Sequence, residues 1–297
     1  MKIEMVFIPL SPVGTVIPYY LFSPTTTDRG TIRALNFAMD YFRDEKSFKD
    51  ASGYEIDGMW YPRVTKILGI KAKPALYRYY AEAASYAEAQ SNTQKSAEEG
   101  TLVHETVQKI MMGENPEIDP AIAPAITEVR KFLEDRNIQI EPDFIERRVI
   151  HHGERYAGTI DALALIDGKF GVMDIKTSQA IYRDYNLQTA AYMEPLERDV
   201  KNLQTRWILR IDQNKVCREC GATLRTKGGR DKIKLPYPKR NGVYPDDAHD
   251  WSDIRGIVEL KEFPFWRGDY EAFLSAKKLW EWENEFWLKK IGYLKPF

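Results

Sequence analysis

Helical spacing of hydrophobic residues recurs along much of the chain. Val103, Val107 and Ile110 repeat at the three- and four-residue intervals that place side chains on one face of a helix. Pro74 stands at the start of an Ala- and Glu-rich run, as expected in the first turn of a helix. The pattern predicts helices over residues 31–42, 74–90, 100–112, 121–136, 182–196 and 270–287.

Extended, largely apolar runs lie between the predicted helices. They predict strands over residues 144–151, 156–166, 170–176, 205–211 and 257–263. The turns His152-Gly153 and Asp167-Gly168 separate the first three strands, and Asp-Gly is a dipeptide expected in a tight β-hairpin. Helix, three strands, helix and strand is the order of an α/β fold, and the hairpins favour mixed pairing. We therefore predict a central mixed β-sheet flanked by helices.

On this pattern we divide the chain into four stretches. They are an N-terminal extension (1–58), a core domain (59–211), a basic and polar insertion (212–256), and a C-terminal strand and helix that complete the domain (257–297). Between Lys215 and Arg240 the insertion holds nine Lys or Arg against two acidic residues, an excess of seven positive charges. That excess indicates either a binding surface for a nucleic-acid backbone or a solvated loop.

Composition limits the class of protein. A chain of 297 residues is long enough for a substantial core, and its formal net charge of −1 gives no global basicity. No apolar run reaches the roughly 18 residues needed to cross a bilayer. Pro9 and Pro12 interrupt the apolar stretch near the N-terminus, which makes it a poor signal peptide. We therefore expect a cytoplasmic protein without a membrane partner.

Two aspartates in the segment 156–178 provide the first candidate chemistry. Asp161 lies in one predicted strand, and Asp174 follows thirteen positions later, two residues before Lys176. A hairpin through Asp167-Gly168 brings both carboxylates and the ammonium group together, because Asp174 and Lys176 share one face of an extended strand. Two hard oxygen ligands beside a cation suit a divalent metal ion that activates water against a phosphodiester. The segment therefore predicts a nuclease site.

Five short motifs surround and include this segment. They are YPRVTKIL (61–68), GTLVHE (100–105), AGTID (157–161), DIKTS (174–178) and QTAAY (188–192). In this order they resemble the RecB-like branch of the PD-(D/E)XK nuclease superfamily, the branch that includes mitochondrial genome maintenance exonuclease and related phage and archaeal exonucleases. Ile160 stands where the superfamily has the proline of its name, a common departure in this branch.

The resemblance implies a restriction-endonuclease-like core and a set of catalytic residues. Asp161 and Asp174 would bind Mg²⁺ or Mn²⁺ together with the main-chain carbonyl of Ile175. His104 would be a further metal ligand, and its nitrogen would shift the preference toward Mn²⁺. Lys176 would orient or help to deprotonate the attacking water and would stabilise negative charge on the phosphate.

Two acidic residues also match positions common in this branch. Glu105 and Glu146 are expected either as neighbours of the metal ligands, at the edge of the site, or as surface residues. Glu105 points about 100° away from His104 on a helix, so the two side chains cannot both face one ion directly.

The last motif implies a helix face beside the catalytic strand. Gln188 and Tyr192 lie four residues apart on one face, and Tyr185 joins them three residues earlier. Such a face either binds substrate, contacting a phosphate or stacking on a base, or packs half-buried against the core.

Cys217 and Cys220 are the only cysteines of the chain. Relatives of this branch that hold an iron–sulfur cluster use four cysteines, so no such cluster is expected. The sequence Cys217-Arg-Glu-Cys220-Gly221 is similar to half of a zinc knuckle, and His249 is the histidine nearest to it in sequence. The alternatives are a zinc site and, preferred on the sequence alone, a reduced turn without metal.

These patterns together predict a divalent-metal-dependent DNA exonuclease that acts on single-stranded DNA or DNA ends. A structure-specific endonuclease would use the same site if the DNA path were open. A non-catalytic nucleic-acid-binding module is a third hypothesis, against which the intact Asp161, Asp174 and Lys176 argue. Proteins of DNA replication, repair or recombination are the expected protein partners.

Overall fold

The computed structural model describes residues 42–236 and 249–295. The predicted helix over 31–42 and most of the N-terminal extension lie outside the described residues. The helices are α1 (Glu45–Ser52), α2 (Val64–Ile67), α3 (Pro74–Glu82), α4 (Tyr86–Met111), α5 (Ala123–Asp135), α6 (Asp184–Asp199), α7 (Arg267–Glu283) and α8 (Glu285–Lys290). The strands are β1 (Gly53–Ile56), β2 (Met59–Pro62), β3 (Gln139–Ile140), β4 (Arg148–His151), β5 (Tyr156–Thr159), β6 (Ala162–Ile166), β7 (Lys169–Lys176), β8 (Thr205–Val216), β9 (Thr223–Lys227), β10 (Arg230–Lys234) and β11 (Arg255–Glu262).

A mixed sheet forms the centre of the described fold. Its middle strands are β6, β7 and β8, with β3 beside β6, β11 beside β8, and β9 and β10 continuing from the end of β8. β7 and β8 pair in parallel through the crossover helix α6, and the other pairs of this sheet are antiparallel. The predicted α/β fold with a central mixed sheet flanked by helices is therefore confirmed. Among the described residues, no helix combines the length and hydrophobicity needed to cross a membrane.

Two hydrophobic clusters lie on opposite faces of this sheet, because successive side chains of a strand point to opposite sides. Leu163 and Val172 pack on one face with α6, α7 and the aromatic residues around Phe48. Met173 and Ile175 pack on the other face against α4 and α5. The C-terminal end of β7 is thus enclosed from both sides.

Residues 42–58 pack into the same compact unit as the core. Phe48 is completely buried against Trp60 and Trp287. β1 pairs with β2 through a turn at Asp57 and Gly58. Residue 58, where the predicted N-terminal extension ends, lies in the turn of this hairpin.

Element boundaries differ from the prediction where tertiary contacts decide them. The helix predicted over 74–90 is interrupted, and Ser85 caps a new helix by accepting the N–H of Glu88. That helix, α4, runs through the start predicted at Gly100. The strand predicted over 156–166 divides after Thr159, where β5 pairs with β4 and β6 joins the central sheet.

Arg206 on β8 is a completely buried charge that ties the sheet to its helices. Its guanidinium donates hydrogen bonds to the carbonyls of Asn186, Phe263 and Phe265 and to the carboxylate of Asp269. These partners connect β8 with α6 and with the start of α7. Such a charge is tolerated in the interior only while its partners remain.

The Asp269→Ala substitution is expected to lower the free energy of unfolding by about 3 kcal/mol, because the Arg206 guanidinium stays buried without its charge partner. Urea unfolding followed by tryptophan fluorescence measures the change. Glu82→Ala removes an exposed ion pair with Arg78 and serves as the control, with no resolvable shift expected. Equal midpoints for the two variants would contradict this role of Asp269.

Candidate active site

The candidate site lies at the C-terminal end of β7. β6 and β7 form the predicted hairpin, with left-handed backbone at Asp167 and Gly168 as a tight turn requires. Asp161 stands just before β6, and its Oδ2 accepts the N–H of Ile175 at 2.5 Å. This hydrogen bond holds the first aspartate beside the strand that carries Asp174.

Three side chains converge at this point, each with one donor atom within 4.8 Å of the others. They are His104, Glu146 and Asp161. His104 Nε2 lies 3.1 Å from Asp161 Oδ2. Burial lowers the pKa of His104, but the hydrogen bond and charge of Asp161 outweigh burial and leave the pKa raised. One imidazole nitrogen and two carboxylates form a donor set that suits Mg²⁺ or Mn²⁺.

Glu146 joins the cluster through its backbone. Its N–H donates to the carbonyl of Asp161 at 3.2 Å, two positions beyond the last residue pair of β4 and β5. Its φ of 53° is a left-handed conformation uncommon outside glycine, and such conformations concentrate at functional sites. Gln108, which the sequence did not single out, donates a hydrogen bond to its carboxylate. The sequence predicted Glu146 as a neighbour of the metal ligands or a surface residue; the residue is exposed, and its carboxylate lies among the converging donors.

Asp174 lies beside this cluster, and its side chain is 1% exposed. Lys176 Nζ is 2.6 Å from its Oδ2, and Gln188 Nε2 donates to its Oδ1 at 3.1 Å. Burial raises the pKa of Asp174, although the charge of Lys176 opposes this effect and that of Asp161 adds to it. Burial lowers the pKa of Lys176, but the two aspartates outweigh it, so Lys176 remains an ammonium ion at neutral pH. The expected proximity of Asp161, Asp174 and Lys176 is thus present.

The helix face predicted beside the catalytic strand lies on α6, and it contacts Asp174 through Gln188. Gln188 Nε2 lies 3.1 Å from the hydroxyl of Tyr192, whose side chain is only 2% exposed. The ring of Tyr192 is therefore not available to stack on a nucleobase of a substrate. Of the two alternatives predicted for this helix face, Tyr192 takes the packing role. Tyr185 is half-buried with its ring centroid 5.1 Å from Lys176 Nζ.

Two motif glycines make this packing possible. A Cβ at Gly158 would lie 2.4 Å from the ring of Tyr192. A Cβ at Gly100 would lie 2.7 Å from Thr177 Oγ1, so glycine lets α4 approach the end of β7. His104 follows Gly100 by four residues on the same helix face and is thereby aimed at the site.

An open cavity of about 610 Å³ lies over the cluster. Its lining includes His104, Glu105, Glu146, Ile175 and Lys176. Glu105 is exposed at the cavity wall, in keeping with the predicted position at the edge of the site. Metal binding by the carbonyl of Ile175 stays a prediction, and the observed contact of this residue is its N–H with Asp161.

Within the described part of the basic insertion, β9 and β10 form a hairpin that contacts Thr177 at the edge of this cavity. Lys227 Nζ and Arg225 Nη2 both donate to the carbonyl of Thr177, and the N–H of Gly228 donates to Glu99 at 3.0 Å. Burial lowers the pKa of Lys227 to about 8, and the charge of Arg225 adds to the shift. The sequence predicted the positive charge of this segment. It did not predict that the hairpin contacts Thr177, the residue that follows Lys176.

Cys217, Cys220 and His249 form a second group of converging donors, also within 4.8 Å of one another. Cys220 Sγ lies 3.4 Å from His249 Nδ1. The backbone N–H of Cys220 lowers the pKa of the Cys217 thiol, although burial opposes the shift. The histidine nearest in sequence is thus also near in space.

Comparison with known proteins adds no family assignment. No family model matches the chain, and no curated protein matches it. The solved structure of SSO0001 is similar over 76% of this chain and 83% of its own, at 13% identity and a TM-score of 0.30. A similarity at this level carries no argument about function.

The Gly158→Ala substitution is expected to destabilise the fold by about 1–3 kcal/mol, because the new methyl group overlaps the buried ring of Tyr192. Urea unfolding measures the loss. Gly268→Ala on α7 is the matched control, since its added methyl group meets no atom within 4 Å. A Gly158→Ala protein as stable as the control would show that Tyr192 does not need this space.

Proposed function

We propose that the protein is a divalent-metal-dependent DNA exonuclease of the RecB-like branch of the PD-(D/E)XK superfamily. Single-stranded DNA and DNA ends are its proposed substrates. The observation that carries the proposal is the convergence of His104, Glu146 and Asp161 beside the buried Asp174–Lys176 pair. Nitrogen and carboxylate donors next to a fixed ammonium group suit metal-assisted phosphodiester hydrolysis.

The donor set fits a divalent cation. A cation held by His104, Glu146 and Asp161 would supply Lewis acidity to a phosphate oxygen and would lower the pKa of a water molecule. Asp174 Oδ2 is buried and makes no hydrogen bond of ordinary geometry with the described residues, although Lys176 Nζ lies 2.6 Å away. A buried carboxylate is stabilised by positive charge, which Lys176 supplies and a cation held beside it would increase.

The surrounding side chains have separate proposed tasks. Lys176 is held between Asp174 and the ring of Tyr185, and its ammonium group stabilises the negative charge that develops on the phosphate. The raised pKa of Lys176 keeps its amine protonated, and this favours the electrostatic task over that of a base that removes a proton from water. Asp161 orients the imidazole of His104, and the Ile175 N–H keeps Asp161 in place.

The surface beside the cavity supports a single strand as substrate. Arg230 lies over the ring of Tyr79 at 4.1 Å, which brings β10 against α3. Tyr77 and Tyr86 nearby in sequence are 58% and 68% exposed. Cationic side chains can follow a phosphate backbone while exposed rings stack on unpaired bases.

Asp174→Ala and Lys176→Ala are each expected to lower Mn²⁺-dependent cleavage of an end-labelled single-stranded oligonucleotide by at least about 100-fold, since Lys176 stabilises charge on the reacting phosphate and Asp174 holds the Lys176 ammonium group in place. Asp135→Ala and Lys131→Ala change exposed residues of α5 and are expected to keep full activity. Circular dichroism checks that all four variants fold. Unchanged cleavage by a folded Asp174 or Lys176 variant would refute the assignment.

The same digestion tests the exonuclease assignment with a circular single-stranded DNA of equal sequence. An exonuclease degrades the linear strand and leaves the circle intact. Cleavage of the circle at a comparable rate would identify an endonuclease with the same site, and binding without cleavage of either substrate would identify a non-catalytic module.

Lys234→Gln is expected to weaken binding of single-stranded DNA and to reduce the slope of log K against log salt concentration by about 0.7, the value for one lost phosphate contact. Fluorescence anisotropy with the Lys176→Ala protein as background measures binding without cleavage. Lys278→Gln removes an equivalent exposed charge from α7 and is the control. A slope equal to that of the control would place the DNA away from β10.

A further inference from the structure

A second group of donor residues meets at the base of the β9–β10 hairpin, and it is distant in sequence from the candidate active site. It consists of Cys217, Cys220 and His249. Their donor atoms lie within 4.8 Å of one another, and Cys220 Sγ is 3.4 Å from His249 Nδ1. Zn–S bonds of about 2.3 Å and Zn–N bonds of about 2.0 Å at a tetrahedral angle place sulfur and nitrogen about 3.5 Å apart. The observed separation matches this value.

The backbone around the cysteines is folded to receive a charged sulfur. The N–H of Gly221 donates to the carbonyl of Cys217 at 3.0 Å, and the N–H of Ala222 is directed at Cys220 Sγ at 3.4 Å. Gly221 has a φ of 74°, a conformation that favours glycine. An N–H group aimed at sulfur stabilises the thiolate, which is the form of cysteine that binds a metal.

The histidine is held in position by its own segment. Its ring centroid lies 4.6 Å from that of Trp251, and Trp251 forms an isolated antiparallel bridge with Cys217. The N–H of Arg218 donates to the carbonyl of Asp250 at 2.9 Å, which joins the two segments again. Both cysteines are buried, so the imidazole reaches an enclosed pair of sulfur atoms.

We propose that Cys217, Cys220 and His249 bind one zinc ion. Two thiolates and one imidazole are soft and borderline donors that select Zn²⁺ over Mg²⁺. The site thus differs in ligand chemistry from the proposed catalytic centre, and its proposal does not rest on nuclease activity.

The place of the ion in the chain gives it a structural task. β8 ends at Val216, the two cysteines follow, and β9 begins at Thr223. An ion bound there closes the base of the hairpin and fastens it to the segment that leads into β11. Zinc binding would therefore contribute directly to folding of the β9–β10 hairpin, whose Lys227 contacts Thr177.

Metal analysis of the purified full-length protein, grown with added zinc, tests the proposal. About one equivalent of zinc is expected in the wild type, and Cys217→Ser, Cys220→Ser and His249→Ala are each expected to lose at least about tenfold in zinc content. His152→Ala changes a histidine that is hydrogen-bonded to the hydroxyl of Tyr61. This variant is the control, and its zinc content is expected to equal that of the wild type. Exchange for Co²⁺ is expected to give thiolate charge-transfer absorption that Cys217→Ser weakens.

A second measurement on the wild-type chain covers the case of variants that do not fold. Chelation of zinc is expected to expose residues 223–234 to limited proteolysis, and returned zinc is expected to protect them. Less than a tenth of an equivalent of zinc in the wild type, or a cobalt spectrum without a thiolate band, would overturn the proposal. Neither readout depends on DNA cleavage, so failure here and failure of the proposed function are distinguishable.

Discussion

The buried carboxylate of Asp174, near the end of β7, determines the positions of several side chains around it. Burial of a charged Asp174 is costly unless partners replace its hydration, and Lys176 and Gln188 do so. Gln188 is in turn placed by the hydroxyl of Tyr192, whose ring needs the space that Gly158 leaves. Gln188 and Tyr192 of one motif and Gly158 of another therefore help to hold one aspartate in an otherwise unfavourable position.

The parts of the fold that the sequence predicted depend on local signals. Alternation and the Asp167-Gly168 turn define the β6–β7 hairpin, and strand parity puts Asp174 and Lys176 on one face. The place of Glu146 was not predictable in this way, because it depends on a left-handed backbone and on pairing with residues beyond β5. The start of α4 was missed for a similar reason, since its first turns are exposed and carry no hydrophobic period.

The basic insertion connects the two groups of metal donors. Cys217 and Cys220 lie where the hairpin leaves β8, and Lys227 at the other end of β9 contacts Thr177, one residue after Lys176. The insertion therefore packs against Thr177, a residue that lines the cavity. A net charge of −1 for the whole chain conceals this arrangement, because the positive charge is concentrated beside a cluster of carboxylates.

The distribution of the donor residues along the chain has a consequence for the protein during its synthesis. His104 comes from a helix far upstream, Glu146 from the approach to β4, and Asp161 and Asp174 from the two arms of a hairpin, at its open end. Contacts between such distant segments, like the parallel pairing of β7 with β8, form slowly compared with local ones. A nascent or truncated chain can contain every motif and still lack the assembled centre. If the proposed function holds, an unfinished copy would therefore lack the metal-binding centre until its tertiary structure is complete.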